Sequence, residues 1–570
     1  MTTDARGLAV ALASQSDAAL DQLFSERDVS VRVVWRDFFD AAESFLEPAS
    51  IAAGLRFVTA AQAEVLRQLA AGAMLTADDS TLKAAGFIAA DGTMYAPVAS
   101  VVAELAVAGS NSADAATFPA HAEPAARAAE RAFTTIGNIA DLLTVLLTSP
   151  LAQIGTGAVS AAERRRLAEA NVVDDPDDVD TLLRVGQISG LTATVDRKWM
   201  ATPEGASWLG ASNRERWDRI AHAIVSFLPA GMRASDGSVV PAAHWPTAYP
   251  WDQEWPARAQ RIRTALFLLG LLTADGSPTP WAEPLLAGGE PDRAALSELL
   301  PHEVDQIYLQ HDLTAISPGP LEAGLDIRLR SMAVRESHAQ ASTYRFTASS
   351  LMDAVTGGET EETITEFLTK ISLTGIPQPL AYLVGESARR HGSIRVGFTP
   401  DRDQTLVTAE SNALIDTLAV DQALRPLGLT RSALGLTSRV GRDTVGVALA
   451  DAHYPVTLVA ADGSPERLQR HRLAEPSVAS ATPAYTDLLE RLRASAADNS
   501  ESAWLERELE LAVRNRNTVT VTVEIPGAEP RTFTLEASGF GGGRLRGRDK
   551  AADVERTLPV SHITSIETIA

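Results

Sequence analysis

The chain has 570 residues, with 73 acids against 50 lysines and arginines for a formal net charge of −23, 45% hydrophobic and 22% charged residues, and no cysteine. These balances fit several folded domains and exclude wholesale disorder, disulfides, thiolate chemistry and sulfur-ligated zinc. They also exclude a surface that attracts a polyanion over its whole extent, so any nucleic-acid site has to be local.

The opening MTTDARGLAVALASQ has only a short apolar run, residues 8–13, with Asp4 and Arg6 before it. That pattern makes a poor secretory signal, and a cytoplasmic location is expected. The later apolar runs at 142–147 and 265–272 fall well short of the roughly 20 residues of a membrane helix. They read as buried helices, with no membrane partner.

Three segments of the first half share one order: an apolar helix end, a glycine, a polar turn, and a short extended run closing near a proline. They are TLKAAGFIAADGTMYAPVASVVAEL from Thr81, LLRVGQISGLTATVDRKWMATPEGASWL from Leu182 and ALFLLGLLTADGSPTPWAEPLL from Ala265. The order fits a winged helix, with DG or VDR at the tip of the wing. FTTIGNIADLLTVLLTSP and SAAERRRLAEA supply helices ahead of the second unit. The third helices are mostly apolar and carry isolated cations such as Lys83 and Arg184, which favours protein interaction or spacing over DNA reading. Arg164, Arg165 and Arg166 read as a solvated face or as phosphate contacts. Residues 107–126, small, polar and proline-bearing, read as a linker. The expected units are 1–110 and 126–290.

Next comes TASSLMDAVTGGETEETITEFLTKISLTGIP, residues 347–377. Ile364, Phe367, Leu368 and Ile371 fall at i, i+3, i+4 and i+7 and predict one amphipathic helix. Thr360 is its cap, Glu361 and Glu362 suit its positive end, and Gly375 with Pro377 ends it. A shorter helix precedes it over about 348–356. Another begins near Pro379, and SIRVGF alternates as a strand.

The run from Tyr344 to Gly397 closely resembles the N-terminal domain of the XPB helicase of TFIIH. IYLQHDLTAISPGPL upstream is similar to that domain's opening strand. A helix over about 411–423 and RDTVGVALADAHYPVTLVAADGS downstream are similar to its later helix and closing strand. The resemblance covers about 300–465. In XPB this domain precedes the motor lobes and docks on a companion TFIIH subunit, itself built of winged-helix units followed by a related domain. The present chain resembles that companion, and also resembles actinobacterial helicase-associated proteins of the same layout. The resemblance implies an XPB-type helicase as partner. Ile364, Phe367, Leu368 and Ile371 are the candidate docking residues, with Arg389 and Arg390 of the next helix, unless the helices instead form a DNA-reading helix-turn-helix.

Residues 464–484 read as a linker, followed by a final unit at 485–570. AWLERELELAVRNRN is helical, and NTVTVTVEI, RTFTLEASGF and GRLRGRDK are strands. A helix feeding a small β-barrel resembles a WYL domain, whose relatives bind nucleic-acid or nucleotide ligands. The Trp-Tyr-Leu signature is replaced by GRLRGRD. Arg544, Arg546 and Arg548 share one strand face about 7 Å apart, near the spacing of single-strand phosphates. With Lys550 and Arg556 they are the candidate nucleic-acid contacts, or they pair with Asp553, Glu555 and neighbouring acids.

No GxxxxGK[ST] cradle, magnesium-holding DExH run, GxSxG elbow or HExxH pair occurs in the sequence. His302 and His453 stand without a relay. We therefore expect no catalytic residue, metal or cofactor. The fold class expected is α+β multidomain: winged-helix-like repeats, an XPB N-terminal-like α/β domain, then a small β-barrel-like domain. The function expected is a non-enzymatic accessory protein acting on an XPB-type helicase in DNA repair, with a DNA-binding transcription regulator as the alternative.

Overall fold

The computed structural model describes residues 2–74, 79–108, 124–338, 341–390, 392–399, 401, 403–452, 454–460, 462–466, 468, 471–474, 485–498, 501–514, 516–524 and 530–569. Most of the linker read over 107–126, much of that over 464–484, and His453 lie outside them. Among the described residues the chain is mixed α/β with five apolar cores.

The opening helix, Thr2–Ser14, buries Leu8, Ala9 and Leu12 in the first core. That core is helical to residue 102 and is completed from far along the chain. Leu488, Leu489 and Leu492 of the helix Thr486–Asp498 pack into it. Tyr485 donates its hydroxyl to Val29 O at 2.7 Å, and Arg493 bonds the carbonyls of Ala13 and Gln15 at the end of the opening helix. The start of the expected final unit is therefore packed on the first, because its apolar stripe meets an unfilled face there.

The second core runs from Ala128 to Leu296 along the 24-residue helix Ala125–Thr148. Leu151–Ala152, Thr192–Val195 and Lys198–Ala201 form an antiparallel wing against the helices Ala161–Glu169 and Val179–Ile188. Asp196 and Arg197 at its tip both take positive φ, as a tight two-residue hairpin requires. The first and third expected wings shrink to single bridges, Ile88 with Met94 and Leu272 with Pro278. Their tips share one turn: Asp91 accepts the Thr93 N–H at 2.9 Å and Asp275 the Ser277 N–H at 3.0 Å, before glycines at φ 87° and 82°. The same turn recurs at Asp236–Ser238 and Asp462–Ser464, which the sequence reading did not single out.

The next stretch divides into two cores. A four-stranded antiparallel sheet packs with the helices Ala323–Arg330, Ala348–Thr356, Glu361–Ile371 and Gln378–Arg390. A six-stranded mixed sheet follows, in which Ile394–Phe398 pairs parallel with Val456–Val459 across the helix Arg442–Asp451.

The last core lies between the helix Glu501–Arg514 and five antiparallel strands. The expected barrel does not close. The edge strands Val554–Pro559 and Ile563–Ile569 are joined by the turn Val560–His562, yet they do not pair with each other. Leu505, Leu509 and Ala512 fill the inner face instead.

Candidate docking and nucleic-acid surfaces

The capping and stripe read for the helix Glu361–Ile371 both form. Thr360 accepts the Thr363 N–H at 3.2 Å, and Thr363 Oγ1 accepts the Thr360 N–H at 2.8 Å. Ile364, Phe367, Leu368 and Ile371 are all buried in the third core. The Arg328 guanidinium seals one side, lying 4.5 Å from the Phe367 ring centroid while making two 2.9 Å bonds to Glu359. These four side chains therefore hold their own domain together and offer no free docking stripe. One-sided periodicity marks which side chains meet a core, and that core is internal.

What the two helices leave exposed is different. Glu361, Glu362, Thr365, Glu366, Thr369 and Lys370 line a shallow depression on the outer side of the first. Gly385 of the second helix sits against it, since a Cβ there would lie 3.2 Å from Glu361 Oε1. Tyr382, one turn earlier on the same face, is 68% exposed. Arg389 and Arg390 are also exposed, but both bond Glu386, at 2.8 and 3.0 Å. Sequence reading named the arginines and passed over Tyr382, whose only signal was an aromatic off the apolar stripe.

A cleft of about 660 Å³ separates this helical domain from the 125–296 unit. Asp141 projects from the long helix at its edge, buried, between two arginines of the other unit. Arg335 bonds its Oδ2, and Arg330 Nη1 lies 2.7 Å from Oδ1 in a contact without hydrogen-bond geometry. Tyr344 donates to Asp326 at 2.6 Å, and burial pushes its hydroxyl pKa far up. Burial lowers the Arg335 pKa. Arg216, also lining the cleft, is lowered to about 10 by burial; it lies over Trp208 and bonds the carbonyls of Trp208 and Leu209. Acids and cations are mixed through this cleft, so it joins units without forming a single-sign binding site. The signal in the sequence was an acid alone inside IADLLTVLL.

The winged unit offers little to DNA. The helix Val179–Ile188 exposes only Arg184 and Gln187, while Arg164 and Arg166 are engaged by Asp177 and Glu163. On its other side the wing is occupied by the chain itself, as Ala474 N–H bonds Ala201 O at 2.8 Å.

In the C-terminal sheet, the strand Arg544–Asp549 alternates as expected, with Arg544, Arg546 and Arg548 exposed and Leu545 in the core. The three are not equivalent. Arg548 is bonded to Asp553 at 2.8 Å and stands between Glu536 and Glu555. Arg544 and Arg546 have no ion pair among the described residues, and face Gly541 and Gly539 on one side and Pro559 and Thr557 on the other. Arg556 leaves the patch altogether. It pairs with Gly547 across the ladder, on the core side, where it bonds Asp549 at 2.5 Å and covers Phe533. Lys550 lies beyond the strand end, exposed. Among the described residues no group of His, Cys, Asp and Glu is placed to hold a metal, and no helix is long and apolar enough to cross a membrane.

Residues 307–433 match the family described as helicase conserved C-terminal domain. The match takes in the whole third core and ends inside the fourth, between the hairpin strands Thr430–Ser432 and Gly435–Ser438. No curated protein matches the chain. The segment is thus helicase-related, and it carries the exposed face around Tyr382.

Proposed function

We propose that this helicase-related chain is a non-catalytic accessory protein that docks on an XPB-type DNA helicase and modulates it in DNA repair or DNA metabolism. One observation carries the reading: the segment matching a helicase domain closes its apolar stripe on its own core, and leaves exposed both the acids Glu361, Glu362 and Glu366 and, on the neighbouring helix whose Gly385 packs against Glu361, Tyr382. An exposed aromatic rimmed by charge is the kind of anchor that binding hot spots use. No phosphate cradle lies in these 570 residues, so influence on strand separation has to pass through a molecule that has one. The chain would act by binding one motor state better than another.

The test mixes a purified XPB-type helicase with the full chain. Co-elution as a complex, together with a changed rate of DNA-stimulated ATP turnover, is expected. No complex and an unchanged rate overturn the reading. ATP hydrolysis by the chain alone would overturn its non-catalytic part.

A further inference from the structure

We propose that the cleft between the 125–296 unit and the helicase-related domain binds a small organic anion, its carboxylate or phosphate group held between Arg216 and Arg330 and its body against apolar walls. None of the residues that carry helicase docking takes part.

Burying a charge is costly unless an opposite charge and good hydrogen bonds meet it. Arg216, on the helix Asn213–Ser226, is 6% exposed and lines the cleft. Its Nε and Nη2 donate to the carbonyls of Trp208 and Leu209, and Nη1 reaches Asn213 Oδ1 at 3.5 Å. A guanidinium carries five N–H donors in a planar fork, so part of the fork is unused, and no carboxylate forms an ion pair with it among the described residues. Burial, and behind it the approach of Arg330 from the other unit, lower its pKa to about 10 against the more distant Asp326 and Glu303. Glu303, which does not line the cleft, is bonded to the Asn213 N–H at 2.8 Å.

Arg330 is likewise under-used. Its side chain is 16% exposed, its contact with Asp141 lacks hydrogen-bond geometry, and Asp326 is 3.6 Å away. Asp141 also serves Arg335, and Asp326 also accepts the Tyr344 hydroxyl. In the cleft and at its edge, two largely buried acids therefore face three arginines. Ser342 adds a neutral donor: it is buried, lines the same cleft, and its hydroxyl has no hydrogen-bond partner among the described residues. Such a hydroxyl is satisfied only by what enters the cleft.

Phe133, Leu299, Pro301 and Pro320 supply the apolar walls, and the volume of about 660 Å³ lies within the roughly 300–1,000 Å³ of small-molecule sites. The exposed acids Glu130 and Asp174 also line the cleft. They disfavour a polyanion and leave room for one buried anionic group. Because Arg216 and Arg330 belong to different units, the ligand bridges them, and occupancy stabilises the joined form.

The experiment titrates the full chain with benzoate and with phenyl phosphate at constant ionic strength, read by calorimetry and by the shift in melting temperature. Benzyl alcohol is the uncharged control and benzamidinium the cationic one. Saturable binding of at least one anion and of neither control is expected, and the tighter probe tells a carboxylate site from a phosphate site. G137F places a ring in the cleft from the long helix, where a Cβ meets nothing within 4 Å; it should abolish binding and melt as wild type does. R216K keeps the charge but loses the fork, and should weaken binding about tenfold. No saturable binding of either anion, equal binding of either control, or undiminished binding by G137F or R216K overturns the inference.

Discussion

Asp141 and Arg335 are 194 residues apart in sequence and form a buried ion pair that joins the long helix Ala125–Thr148 to the helicase-related domain. Arg330 shares the same carboxylate at 2.7 Å. Replacing Asp141 by Asn leaves the largely buried Arg335 guanidinium without a carboxylate among the described residues, and leaves Arg330 with Asp326 alone, 3.6 Å away. Breaking a buried pair from one side costs about 3–5 kcal/mol. We expect D141N to lower the denaturant midpoint and to split unfolding into two transitions as the units uncouple, read by circular dichroism and tryptophan fluorescence together.

Tyr454 donates its hydroxyl to Asp421 at 2.7 Å, and its pKa is pushed up to about 12 by burial and by that carboxylate. A raised pKa means the neutral form is favoured in the folded state. The stabilisation is complete below the unfolded value of about 10 and is lost as pH rises through about 12. The advantage of wild type over Y454F in urea midpoint should therefore be constant from neutral pH to about 10 and shrink above it. A constant difference over the whole range would refute this.

Gly205 lies in the short helix Pro203–Trp208 where a Cβ would come within 2.2 Å of Leu191 O. The obstacle is backbone, at the foot of the wing, and cannot swing away. G205A should destabilise by about 1–3 kcal/mol, as overpacking does, seen as a lower melting temperature. G137A, on the long helix where a Cβ meets nothing within 4 Å, should be neutral or slightly stabilising.

Exposed Tyr382 and the exposed acids of the helix Glu361–Ile371 carry the docking proposal. Y382A should weaken affinity for an XPB-type helicase about fivefold or more, the loss of a hot spot of above 1 kcal/mol. E361K/E362K/E366K should weaken it further at low salt than at high salt. Titration calorimetry at two ionic strengths separates the contributions; Y382A should melt as wild type does because its side chain is exposed, whereas the triple reversal puts two cations at the positive end of the helix Glu361–Ile371 and should melt slightly lower.

Much of the local structure was legible in the sequence because its causes are local. Spacing alone gave the helix Glu361–Ile371, the Thr360 cap, the Asp196–Arg197 hairpin tip and the alternation of Arg544–Asp549. Each depends on residues within one turn of helix or one strand, where 3.6- and 2-residue periods are fixed by backbone geometry. The same periodicity could not say whether the Ile364 stripe faced a partner or the domain's own core, because burial is a property of what arrives from elsewhere in the chain.

The tertiary structure decided the rest. Leu488 and Leu492 complete a core built some 450 residues earlier, Arg556 turns to the core side of its sheet while Arg544 stays out, and Asp141 meets Arg335 across a cleft. None of these pairings has a short-range signal. They follow from desolvation and charge: an apolar stripe or a buried ion is stable only beside its complement, and only the folded chain brings that complement within a few ångströms.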